Sequence, residues 1–160
     1  MSYEMLNNNK VYLQGEVADV PKYNHTVLDE NFYSFNLIVP RLSGQNDILP
    51  ITISSKLIDE NQLKVGDKIA LRGQFRSYNK LEEGKSNRNY DKSDYIPCIA
   101  WGRNAQFVNK LQVGTKLEIE GRIQSREYNK HYEGADLPVT KTAYEVSIIK
   151  LATAEDKTAL

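Results

Sequence analysis

Nine side chains between residues 72 and 130 share one chemistry. Arg72, Arg76, Arg103, Arg122 and Arg126 are interleaved with Tyr78, Tyr95, Trp101 and Tyr128. A guanidinium matches a phosphate in charge and in hydrogen-bonding geometry. A flat aromatic face accepts a nucleobase, each stacked base contributing about 1–3 kcal/mol whatever its identity, because every base has a π face. Together these residue types suit an unpaired nucleic acid strand held without reading its sequence. The charge distribution points the same way. The chain is neutral, with 21 basic and 21 acidic residues, yet residues 72–130 hold 12 basic against 7 acidic. Residues 1–71 hold 6 against 9, and residues 131–160 hold 3 against 5. A local cation excess of this kind builds a positive field over one face.

Other chemistries find little support. His25 and His131 stand in polar, loop-like segments, and Cys98 stands alone, so no zinc-ligand spacing exists. No glycine-rich loop leads into a phosphate-binding lysine. Glu82 and Glu83 lie in a charged stretch and read as solvated. We therefore expect no enzyme activity, no cofactor and no metal. A single cysteine fits a reducing compartment. Residues 1–10 are polar and lack the apolar core of a signal peptide, and the nearly apolar run 96–101 is too short to span a bilayer. A cytoplasmic protein without membrane association is expected.

The elements that must position the candidate residues read as strands. Residues 11–17, 32–39, 48–53 and 68–75 are β-rich or alternate, with Pro21 and Pro40 closing the first two. Short helices are expected over 55–63, where Leu57, Ile58 and Leu63 form a face, and over 104–111, with Phe107, Val108 and Leu111. An internal repeat follows at a spacing of 48 residues: Leu63-Lys64-Val65-Gly66-Asp67-Lys68-Ile69 returns as Leu111-Gln112-Val113-Gly114-Thr115-Lys116-Leu117. Upstream, residues 49–53 match residues 96–100. A strand–helix–turn–strand unit thus occurs twice, preceded by two strands (about 10–21 and 32–40) and followed by one at 142–151. A five-stranded Greek-key barrel with a helix between strands three and four is the OB fold. The chain carries strands one to four and then three to five, an all-β plan with short helices only. The expected divisions are 1–80, a linker at 81–94, 95–152 and a tail at 153–160.

On a strand, Arg122, Gln124, Arg126 and Tyr128 share one face by simple period two. Structural uses compete for the aromatics. Trp101 fits a core, but Gly102 and Arg103 beside it favour a wet edge. Tyrosine rows commonly pack across strands, and Tyr12 and Tyr144 are assigned to packing.

The run Asp94-Tyr95-Ile96-Pro97-Cys98-Ile99-Ala100-Trp101-Gly102-Arg103-Asn104-Ala105 resembles the third strand and helix entry of bacterial single-stranded DNA-binding proteins. Residues 121–128 are similar to that family's fourth strand, residues 142–151 to its last, and residues 10–80 to the front of the same fold. The whole looks like a clostridial-type member with two OB folds, shortened in the middle. The resemblance implies stacking at Tyr95, Trp101 and Tyr128 and basic contacts at Arg103, Arg122 and Arg126. It implies single-stranded DNA as ligand, a homo-oligomer, and roles in replication, recombination or repair on nucleoid DNA. The family's acidic, apolar-tipped tail has no counterpart in residues 154–160, so partners recruited through a tail are not expected. The rival readings are an OB-fold protein-interaction module and an RNA- or oligosaccharide-binding OB domain.

Overall fold

A computed structural model describes residues 8–59, 62–77 and 93–154. The chain divides into two compact units, Met1–Phe75 and Arg76–Leu160.

The first unit is built from β1 (Val11–Val17), β2 (Lys22–Val27), β3 (Glu30–Pro40), β4 (Asn46–Ser54) and β5 (Lys68–Gly73). All its pairings are antiparallel: β3 lies between β1 and β4 and also pairs β2, while β1 pairs β5 on its other edge. These are the pairings of strands one to four of an OB barrel. Alternation along β3 puts Phe35, Leu37 and Val39 on one side, where they are buried with Val17 and Leu49. Leu49 stands opposite Leu37, and Val17 opposite the same residue from β1. Burying each such side chain contributes about 1.5–3 kcal/mol. Gly15 is required where β1 crosses β3, because a Cβ there would run into the Ile38 carbonyl and Leu37.

Asp47 lies opposite Val39 at the end of this apolar row and is completely buried. Arg41 compensates it with two charge-assisted hydrogen bonds, Nη2 to Oδ1 at 2.6 Å and Nε to Oδ2 at 2.9 Å. Strand β2 was not expected from the sequence. Its residues are all exposed, so no alternation marks it. It forms because Leu28 and Asp29 both take left-handed backbone angles (φ 48° and 64°) in a tight turn, a conformation usually signalled by Asn or Gly.

The second unit contains β6 (Cys98–Ile99), α1 (Gly102–Asn109), β7 (Leu117–Lys130) and β8 (Val139–Thr153). β8 pairs β6 in parallel and β7 in antiparallel, the relation of strands three, four and five in an OB barrel. The β7–β8 ladder runs from Leu117↔Thr153 to Lys130↔Val139, with a bulge between Glu120 and Gly121. A Cβ on Gly121 would collide with the Ser147 carbonyl and Val146, so the close approach of the two strands needs glycine there. The fold class is all-β with the OB strand plan.

The two helical expectations fare differently. α1 starts two residues earlier than the expected 104–111 and ends at Asn109. Residues 55–57 form a turn, with Leu57 N–H bonded to the Ser54 carbonyl, and no helix occurs among the described residues of 55–63. Leu57 is well exposed, while Ile58 and Leu63 are partly covered, so the three do not form one buried helical face. The expected linker falls outside the described residues except for 93–94. Among the described residues, no helix is long and apolar enough to cross a membrane.

Candidate nucleic-acid interface

Tyr95 and Trp101 flank β6, and both point to solvent, with 71% and 68% of their surface exposed. Local hydrogen bonds fix the approach to this strand. Ser77 N–H donates to Asp94 Oδ1 at 3.0 Å, and Tyr95 N–H donates to Ser77 Oγ at 2.8 Å. Arg76 Nε lies 4.0 Å from Asp94 Oδ2 in the same knot. Trp101 is the N-cap of α1 and makes no side-chain capping bond; Asn104 and Ala105 N–H close onto its carbonyl. Gly102 permits the turn with φ 56°. The indole is therefore aimed by the backbone while its faces stay bare. Arg103, the next residue of the helix, is exposed.

Past the bulge in β7, period two places Arg122, Gln124, Arg126, Tyr128 and Lys130 on one face, opposite Ser147, Glu145, Ala143, Lys141 and Val139 of β8. The structure thus brings together three of the expected site residues, Arg122, Arg126 and Tyr128. Arg122 and Gln124 are half-buried, whereas Arg126 and Tyr128 are exposed. The Arg126 guanidinium sits 5.9 Å from the Tyr128 ring centre and is paired with Glu145.

The same face continues into the β7–β8 hairpin with residues that sequence reading missed. Lys130 and Lys141 Nζ lie 5.2 and 5.3 Å from the ring centre of Tyr132. A hydrogen bond with Lys141, helped by the charges of Lys130 and Lys141, lowers the Tyr132 phenol pKa, and the same bond raises that of Lys141. The signal available was the spacing of Tyr128 and Tyr132 around Lys130; only the register of β8 adds Lys141.

The remaining expected site residues lie elsewhere. Arg72 is on β5 of the first unit, opposite Tyr12, with its guanidinium 5.7 Å from that ring. Tyr12, assigned to cross-strand packing from the sequence, does pair across the ladder with Arg72, while keeping 56% of its surface exposed. Arg76 belongs to the second unit through Asp94. Tyr78 lies outside the described residues. Among the described residues, no group of three His, Cys, Asp or Glu could hold a metal ion.

Residues 78–152 match the Single-strand binding protein family. A single-stranded DNA-binding protein of Fusobacterium nucleatum is 25% identical over 80 residues, covering 49% of this chain and 52% of that protein. Another, from Mycoplasma pneumoniae, is 34% identical over 59 residues, covering 37% of this chain and 34% of that protein. The chain thus spans about half or less of these relatives' length. A solved structure of the N-terminal domain of PriB from Thermoanaerobacter tencongensis, described as dimeric, covers 92% of this chain and 98% of its own at 23% identity and TM-score 0.40. The resemblance to single-stranded DNA-binding proteins is shown over the segment that carries β6, α1, β7 and β8.

Proposed function

We propose that this protein binds single-stranded DNA with little sequence preference, stacking bases on Tyr95, Trp101 and Tyr128 and drawing phosphates with Arg103, Arg122 and the lysines of the β7–β8 hairpin. The observation that carries this reading is the exposure of Tyr95 and Trp101 within the segment that matches the Single-strand binding protein family. Exposed aromatics are common on protein surfaces; what supports the reading is that these two stand bare at either end of one short strand, beside the exposed Arg103. The protein acts stoichiometrically, coating exposed strands on the nucleoid during replication, recombination or repair, and uses no cofactor. Arg72 with Tyr12 gives the first unit a smaller patch of the same kind, which supports a contribution from both units. A homo-oligomer accords with the second unit's small core, in which Ile148 alone among the described apolar residues is buried. Light scattering should give at least twice the 18.3 kDa chain mass.

The test is competition between oligo-dT and duplex DNA of equal length. A duplex keeps its bases stacked on each other and offers only its phosphates, so it should compete far more weakly. Equal competition would reduce the site to a plain electrostatic patch.

A further inference from the structure

Glu145 stands in the middle of the proposed binding face, where an acid is out of place. It lies directly opposite Gln124 in the β7–β8 ladder and retains 2% of its surface. Three hydrogen bonds hold its carboxylate. Gln124 Nε2 and Arg126 Nε both donate to Oε1 at 3.1 Å, and Arg126 Nη2 donates to Oε2 at 3.5 Å. Gln124 satisfies a lone pair but carries no charge, so Arg126 alone of these two neutralises the acid. The arginine itself remains half exposed, at 52%, with its guanidinium 5.9 Å from the Tyr128 ring centre.

We propose that Glu145 is a positioning residue for base stacking: it neutralises Arg126 and holds the guanidinium as a flat wing beside Tyr128, so that this arginine widens the stacking platform instead of gripping a phosphate. The inference rests on the single-strand reading of this face. A phosphate that captured Arg126 would leave a carboxylate buried without its counter-charge, a state that costs several kcal/mol. It would also sit against an anion. A guanidinium, planar by resonance and held edge-on by two-point pairing, loses nothing as a stacking surface, because the pairing uses its edge and not its faces. Arg126 therefore differs in role from Arg103, which lies exposed on α1.

The difference is read by salt. Each phosphate contact on a single strand contributes about −0.7 to the slope of log K against log salt. Binding of fluorescein-labelled oligo-dT is followed by anisotropy across a salt series for the wild type, Arg126→Gln and Glu145→Gln. Arg126→Gln should weaken binding about two- to fivefold at every salt concentration, leaving the slope unchanged. Glu145→Gln, nearly isosteric, releases an uncompensated guanidinium and should steepen the slope by about 0.7. A shallower slope in Arg126→Gln, or an unaltered slope in Glu145→Gln, overturns the proposal. Should Arg126→Gln, which leaves the buried Glu145 without its counter-charge, fail to fold, the slope of Glu145→Gln decides alone. If the wild type binds no oligo-dT at any salt, the single-strand reading has failed. The positioning role is then judged from the Arg126 Nε–H resonance. A sharp signal in the wild type that broadens in Glu145→Gln supports it, and the same signal in both overturns it.

Discussion

Replacing Trp101 with leucine separates stacking from every other contribution to binding. The indole is 68% exposed and makes no capping hydrogen bond. Its loss should leave folding stability within about 0.5 kcal/mol of the wild type, as for ordinary surface substitutions. The N-terminus of α1 is held by bonds to the Trp101 backbone carbonyl, which leucine keeps. What disappears is one stacking face, worth about 1–3 kcal/mol or roughly a 5- to 160-fold loss of affinity. The phosphate contacts are untouched, so the dependence of affinity on salt should keep its slope. The assay is anisotropy of labelled oligo-dT at several salt concentrations, with thermal unfolding as the control. A variant that binds as tightly as the wild type, or one that loses affinity only through a changed slope, refutes the assignment of Trp101 to the platform.

Three further outcomes follow from the geometry. Arg41→Met should destabilise the first unit by about 3 kcal/mol, measured by urea unfolding, because it strips Asp47 of its two-point partner inside the protein. Gly121→Ala places a methyl against the Ser147 carbonyl at the bulge, where backbone must move to admit it. A loss of about 1–3 kcal/mol is expected in the same measurement. On raising pH, the tyrosinate absorbance of Tyr132 should appear below the ordinary phenol range, since a hydrogen bond from Lys141 and the charges of Lys130 and Lys141 lower its pKa. Tyr132→Phe should delete that early phase, and an unchanged titration curve would contradict the arrangement of the hairpin.

Much of this architecture was legible before any coordinates, for identifiable reasons. The repeat of Val65-Gly66 at Val113-Gly114 marked two homologous turns, and both glycines do adopt left-handed angles, φ 93° and 96°. Alternation in residues 32–39 identified β3 because its core face is buried and its other face is only partly covered. The same reading failed wherever that contrast vanished. β2 is wet on both faces and so carries no period. Residues 55–57 form a turn and Leu57 is exposed, and helical spacing of a few apolar residues does not by itself sustain one or two helical turns. At the site, Arg122, Arg126 and Tyr128 fell on one face as period two requires. Their neighbours across the ladder were invisible, because only register shows that Glu145 meets Gln124 and that Lys141 reaches Tyr132. The partner of Tyr12 across the ladder, Arg72, was hidden for the same reason, since it depends on the register of β1 against β5.

The central claim is that an exposed aromatic of the second unit takes a base from an unpaired strand. Trp101 is the sole tryptophan of the chain, so its emission reports on that event without labelling. Titration with oligo-dT at low salt should quench the fluorescence, because a base stacks on the indole, and added salt should restore it as phosphate affinity falls. An emission spectrum unchanged at saturating oligo-dT would contradict the account.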